Sequence, residues 1–353
     1  MTLLTRYIVR TVVAGALLVL LALMSIDGLM SFFREIGDTG AGDYTVTLAL
    51  LYVLLTFPER IYDLFPPAVA IGGVLALGAL AANSELVVMR AAGVSIARIL
   101  GQVLQGGAVL IIAVILIGEG VAPASQHYGE RMRATAIAGD DAADSARGLW
   151  LRDEHRFVSI ERLRPGYELE QVTLYEFDEG TLAVTLTAQR VRYIEERWIL
   201  ESVRETRLDN DFRRTREHEE LVREELLRPE MLEVLAMSPD TLPAWQLYDY
   251  VRYLQRNNLD SATQELALWK KLVTPLSTLV MLMLSLPVIF GPLRSTGAGQ
   301  RIFIGSLIGI GYYLVSELFA HVAIVYGFSV PLAALAPVIL FAGIALIALR
   351  RTV

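Results

Sequence analysis

Four ionisable side chains stand inside stretches that are otherwise apolar: Asp27, Glu119, Glu317 and His321. A charge in hydrocarbon is costly, so such residues mark ligand contacts, proton paths or pairing sites. As chemistry they would suit an enzyme acting on lipid headgroups, with carboxylates and an imidazole moving protons. Asp27 is the deepest; the other three lie near one membrane surface, where snorkelling or capping serves equally well. A paired-aspartate protease would need a partner for Asp27 at equal depth, and Asp63 stands at a span end. His127, His155, His218 and His321 have no metal-ligand spacing. The chain has no cysteine, hence no thiolate nucleophile or thiolate metal site, and no glycine-rich loop followed by lysine and serine or threonine to cradle a nucleotide. Arg34, Arg60, Arg131 and Arg133 lie at span ends, where guanidinium forks take phosphate well, although Glu35, Glu59 and Glu130 stand close enough to pair with them. The candidate ligand contacts are therefore Asp27, Arg34, Arg133 and Glu317.

The elements that must position these residues are mostly membrane spans. With 54% hydrophobic residues and a mean hydropathy of +0.48 over 353 residues, the chain is too apolar for a soluble domain. Thr11 to Phe33, preceded by Arg6 and Arg10, is long enough at about 34 Å to cross a bilayer. It has no small-x-small site of the kind that marks a cleaved leader. Tyr44 to Phe57 holds 14 residues, about 21 Å as a helix, and reads as an interfacial helix, with Pro58 opening the next element. Further spans run from about Leu64 to Ala82, Ile99 to Val121, Leu272 to Phe290, Ile302 to Val325 and Ser329 to Leu349.

Between the third and fourth spans the composition changes. Residues 123–262 hold 28 acidic and 19 basic side chains. Phe157 to Glu161, Val172 to Phe177, Leu182 to Leu186 and Trp198 to Val203 alternate in hydropathy, with turns such as Arg164-Pro165-Gly166 and Asp178-Glu179-Gly180 between the strands. This patterning predicts an all-β, jelly-roll-like domain. Pro243 to Asn257 reads as a helix returning to the membrane. The fold class is thus six transmembrane helices with an inserted β domain: residues 1–122 carry three spans, 123–262 the β domain and 263–353 three more. An amino terminus in the cytoplasm puts Arg6, Arg10, Arg90, Arg98, Arg294, Arg301, Arg350 and Arg351 on that side with only Glu85 for company. That is the asymmetry of the positive-inside rule, and it leaves both termini inside and the β domain outside. An acidic insert without a basic stripe sets nucleic acid aside.

Two stretches concern movement. Ser84 to Ile96, SELVVMRAAGVSI, is a short polar interruption on the inner side. Ser84 suits an N-cap, Glu85 the first turn and Gly93 the helix end, giving a helix of about three turns whose apolar residues need a partner. It would serve either as a docking helix or as a turn lying on headgroups. Gly305 and Gly309, with Gly311 beyond, have small-xxx-small spacing, which permits close helix packing, static or mobile.

SELVVMRAAG at Ser84 to Gly93, FPPAVAIGGVLALG at Phe65 to Gly78 and FGPLRS at Phe290 to Ser295 resemble the LptF/LptG permease family of lipopolysaccharide export, over essentially the whole chain. The SELVVM and FGPLRS forms favour the second-named branch. The resemblance implies an inner-membrane heterodimer of one LptF-like and one LptG-like subunit on an LptB-type cytoplasmic ATPase dimer, with an LptC-like periplasmic partner. Lipopolysaccharide would be extracted from the inner membrane and passed to a periplasmic jelly-roll bridge. ATP would be used by the ATPase; this chain would need no cofactor and catalyse nothing. It further implies that Ser84, Glu85, Leu86, Met89, Arg90 and Gly93 form the ATPase-coupling helix, and that the first and fifth spans, with Gly305 and Gly309, pack at a lateral gate. Family members often carry lysines at the outer end of the first span; here Arg34 alone is cationic, beside Ser31, Gly37 and Asp38. An enzyme modifying lipid headgroups and a scaffold that only binds partners are the alternatives.

Overall fold

The computed structural model describes residues 3–138, 146–153, 156–164, 168–178, 181–194, 197–209, 212–223, 239–257, 259–290 and 297–352. The turns at 164–166 and 178–180, His155 and most of the FGPLRS stretch fall wholly or partly outside them. The chain divides into two compact units, one of Met1–Gly37, Ala49–Gly129 and Ala262–Val353, the other of Asp38–Leu48 and Glu130–Ser261.

The first unit is helical. It contains α1 (Leu3–Ile36), most of α2 (Val46–Ala82), the short α3 (Glu85–Ala91), α4 (Ile96–Ile115), a π-helical stretch (Leu116–Val121) and the start of α5 (Ala122–Ala138). It is completed by α7 (Ala262–Phe290), α8 (Ala298–Tyr326) and α9 (Val330–Thr352). Among the described residues, six helical runs are long and apolar enough to cross a membrane. In α1 the buried residues Ile8, Val12, Ala16 and Val19 recur at helical spacing, while Leu17, Leu18, Leu21 and Leu29 face outward. Small residues bring α1 and α2 together: a Cβ on Gly72 would lie 2.5 Å from Ala16 Cα.

Two sequence expectations change here. Tyr44 to Phe57 is not a separate short helix. From Val46 it is the first part of α2, a single helix of 37 residues that continues through Pro58, Pro66 and Pro67. A length of about 55 Å lets it cross the bilayer and protrude. Glu59, Arg60 and Asp63 interrupt the hydropathy without interrupting the helix, because a membrane helix keeps its proline and its charges where neighbouring helices satisfy them. It is also the most buried of the six, with 72% of its apolar core covered against 17% for α8. Likewise the chain is still helical where β structure was expected from Pro123. The run Ile96–Ile137 is continuous and the first described strand begins at Ala146. Pro123 directly follows the π-helical stretch Leu116–Val121, where the regular hydrogen-bond ladder is already interrupted.

Among the described residues the second unit holds six antiparallel strands: β1 (Ala146–Asp153), β2 (Arg156–Arg164), β3 (Glu168–Asp178), β4 (Thr181–Ile194), β5 (Arg197–Asp209) and β6 (Phe212–Arg223). Each pairs with its neighbours in sequence, leaving β1 and β6 as the edges among the described residues. The helix expected at 243–257 is α6 (Ala244–Arg256), with Leu247, Tyr250, Val251 and Leu254 buried. One face of the sheet is apolar, with Val158, Ile160, Leu169, Val172, Leu186, Ala188, Trp198 and Leu200 all buried.

That face is built with a crease. The pairing register skips one residue on every strand along a single line, Gly148, Glu161, Gln171, Gln189, Ser202 and Glu219. Gln171 and Ser202 have positive φ, 52° and 51°. The inward positions change phase across the line: Leu169 then Val172, Ala188 then Val191, Leu200 then Val203. Strict alternation would have turned half of these side chains outward. The crease instead keeps the apolar set on one face of a bent sheet.

Candidate functional site

The membrane unit has two features with functional geometry, and α3 is the first. Ser84 does not cap it: its backbone is left-handed, φ 61°, and its side chain makes no capping hydrogen bond. The cap falls one helix later, where Ser95 Oγ accepts from the Arg98 N–H at 3.3 Å and opens α4. The helix is seven residues, about two turns. Its end is as expected. Gly93 takes φ 88°, the Val94 N–H reaches the Met89 carbonyl and the Gly93 N–H that of Arg90, which is a Schellman closure.

The side chains of α3 divide into two sets. Leu86 is 2% exposed and Met89 packs on the same core, so both anchor the helix to the bundle. Glu85 accepts a hydrogen bond from the Tyr7 hydroxyl of α1 at 2.7 Å. The Arg90 guanidinium lies over the Phe290 ring of α7 at 5.9 Å. Four of the six expected coupling residues therefore hold α3 to α1, α7 and the bundle core. The outward face consists of Val87, 42% exposed, Val88, 64% exposed, and Ala91. Two valines on an exposed, two-turn helix leave an apolar patch that packing within the unit does not use.

The second feature is a groove of about 730 Å³ among α1, α2, α7, α8 and α9. Leu23, Ile71 and Ile310 give it an apolar wall; Asp27, Arg60, Lys270, Glu317 and Tyr313 give it a polar one. The charges are arranged in pairs. Arg60 Nη1 donates to Asp27 at 2.7 Å and to Ser31 Oγ, while its Nε reaches Thr56 at 3.1 Å. Lys270 Nζ donates to Glu317 at 3.1 Å. Just outside the groove, Lys271 pairs with Glu119 at 3.4 Å, and the Tyr62 hydroxyl donates to the Lys271 carbonyl at 2.6 Å. Glu119 is presented by the π-helical stretch, where a Cβ on Gly118 would overlap the Tyr62 ring. His321 Nδ1 lies 2.8 Å from the Glu317 carbonyl.

All four ionisable residues singled out within the spans are thus engaged, the three acids each with a cation. The chain's only two lysines neutralise two of those acids. Sequence reasoning missed Lys270 and Lys271 as partners because nothing in their spacing links α7 to α8 or to the π-helical stretch. Among the described residues these groups do not assemble a free acid and base, and the headgroup-modifying reading draws no support from them.

The remaining expected residues are placed as follows. Arg34 donates to Ser31 Oγ at 3.1 Å and pairs with no carboxylate among the described residues. Arg133 belongs to the second unit, bonded to Asp38 at 2.5 Å and lying over the Tyr44 ring. Gly305 and Gly309 meet α2: a Cβ on Gly305 would lie 3.0 Å from Ile71 Cα, and one on Gly309 3.1 Å from Pro67 Cβ. No group of acids and histidines among the described residues has the arrangement of a metal site.

Residues 6–351 match the sequence profile of the family described as "Lipopolysaccharide export system permease LptF/LptG". The "Lipopolysaccharide export system permease protein LptG" of Haemophilus influenzae is 32% identical over 341 residues, 96% of this chain and 95% of that protein. The protein of the same name from Escherichia coli is 33% identical over 338 residues, 95% of this chain and 94% of that one.

Proposed function

This chain belongs to the LptF/LptG family of lipopolysaccharide export permeases, and we propose that it is the LptG-like half of a permease heterodimer in an ABC-type exporter. Lipopolysaccharide is drawn laterally from the inner membrane of a Gram-negative cell and passed to a periplasmic bridge. The other half is an LptF-like subunit; an LptB-type cytoplasmic ATPase dimer consumes the ATP and an LptC-like protein is the periplasmic partner. Both termini and α3 face the cytoplasm, and the β unit faces the periplasm.

The observation that carries this reading is the division of α3. A helix fixed on its inner side by Leu86, Met89, Tyr7–Glu85 and Arg90–Phe290 transmits force to α1 and α7, and its outer Val87, Val88 and Ala91 supply a docking face for an ATPase groove. The residues expected from sequence to touch the ATPase mostly hold the helix, and the contact shifts to the valines. The groove supplies apolar walls for acyl chains. On the membrane unit Arg34 is the cation offered to phosphate; Arg133, on the other unit, is held by Asp38, much as Asp27 and Glu317 hold Arg60 and Lys270. The apolar face of the creased sheet is the next station for the acyl chains.

A photocrosslinking side chain at Val88, activated in native membranes, tests the docking. The expected adduct is a cytoplasmic ATPase; adducts with lipid alone would refute it.

A further inference from the structure

Arg301 lies in the first turn of α8 and is only 5% exposed. Its Nη1 donates to the Gly78 carbonyl of α2 at 2.5 Å, and its Nε is buried without a partner among the described residues. A cation there has three disadvantages: it is desolvated, it sits at the positive end of a helix, and among the described residues its one acceptor is a neutral carbonyl. Packing alone would favour an apolar side chain of similar volume.

Its surroundings suggest what it does instead. Gly78 admits the guanidinium only because it has no side chain: a Cβ would stand 2.5 Å from Arg301 Cδ and 2.9 Å from Nε. One and two turns along α8, Gly305 and Gly309 approach Ile71 and Pro67 of α2. Arg301, Gly305 and Gly309 therefore form one stripe running antiparallel to Gly78, Ile71 and Pro67. Of its three contacts only Arg301 with Gly78 is a directional, charge-assisted hydrogen bond, which fixes position along the stripe as well as distance. Helix α8 is otherwise lightly covered, and Gly78 stands one turn before the end of α2, which leads directly into α3.

We propose that Arg301 is the positioning residue that carries displacement of α3 through the end of α2 into α8, and so sets how much lipopolysaccharide moves per ATP hydrolysed. This rests on α3 being the ATPase-docking helix. Without the Arg301 bond, α2 can shift along the glycine stripe while α8 stays behind. Hydrolysis then continues and lipid movement does not follow.

The test measures lipopolysaccharide released and ATP hydrolysed by the whole exporter complex in proteoliposomes, and compares their ratio. In Arg301→Met and Gly78→Ala the complex is expected to retain its ATPase and hydrolyse near the wild-type rate, while lipid released per ATP falls about tenfold or more. Arg301→Lys should recover part of the ratio, since an ammonium can still donate to the Gly78 carbonyl. The double variant should be no worse than either single one, because both remove the same bond. An unchanged ratio in an intact Arg301→Met complex would overturn the proposal, as would losses that multiply in the double variant. Should Arg301→Met fail to assemble, Arg301→Lys and Gly78→Ala carry the same comparison. A parallel Val88→Glu complex separates the two readings: if it keeps its ATPase, the docking of α3 is what fails, whatever the Arg301 variants do.

Discussion

The membrane unit and the β unit both carry many ion pairs, and they use them differently. In the sheet the pairs join adjacent strands at or near register positions: Arg190 with Glu168 and Glu201, Arg162 with Glu170, Arg204 with Glu217. Several of these side chains are half-exposed or more, and water would solvate them if the pairs opened. In the helical unit Asp27–Arg60, Glu119–Lys271 and Glu317–Lys270 join different helices from distant parts of the chain. There the alternative to pairing is a charge facing hydrocarbon or a protein interior. The same chemistry is therefore optional across most of the sheet and closest to obligatory at Glu119–Lys271, the least exposed of the membrane-unit pairs.

The largest expected break of that contrast is Lys271→Met. Lys271 and Glu119 are 13% and 20% exposed, so removing the cation strands a carboxylate at a cost of about 3–5 kcal/mol. A lower melting temperature and yield of the detergent-solubilised protein should report it, and adding Glu119→Gln should restore most of the loss. A double variant as unstable as the single one would show that pairing is not Lys271's role.

A smaller effect is expected at Glu205. Its carboxyl is held below the ordinary carboxylate range first by the hydrogen bond from Arg207, with His218 adding to the effect. Because the folded value is the lower one, the stabilisation is in place above the ordinary carboxylate range and is lost as pH falls through that range toward the depressed value. Acid titration followed by tryptophan fluorescence, compared between the wild type and Glu205→Gln, should show the variant losing less on acidification; identical curves would mean that the pair contributes nothing. Smallest of all, Arg204→Ala removes a pair whose members are 67% and 73% exposed, and stability should move by less than about 1 kcal/mol. A loss comparable to that of Lys271→Met would erase the distinction between the units.

The same contrast explains what could be read from the chain beforehand. The apolar runs, the presence of a β insert, the α6 helix and the glycine closing α3 follow from local patterns of composition, alternation and backbone conformation, although the insert's described strands begin only at Ala146. Strand β6 was missed because it is an edge strand with seven charged residues and little apolar alternation. The crease was missed because a phase change looks like noise until it recurs on neighbouring strands. Helix α2 was cut at Phe57 because three charges and a proline look like an end, when Asp27 is the partner that permits Arg60 to stay. On α3 the residue types were legible but not their direction. Leu86 and Val88 are equally apolar in sequence, and only packing against α1, α7 and the bundle core decides that one turns inward and the other outward. Lys270, Lys271 and Arg301 gave no local signal, since their partners lie on helices far away in the chain.

Whether a separate ATPase drives lipid movement through the outer face of α3 is decided by ATP-dependent release of lipopolysaccharide from proteoliposomes holding the reconstituted complex with Val88→Glu. The expected result is a normally inserted permease that no longer retains the ATPase and releases no lipid, while a complex with Val88→Ala does both. Release at the wild-type rate from the Val88→Glu complex would contradict the account.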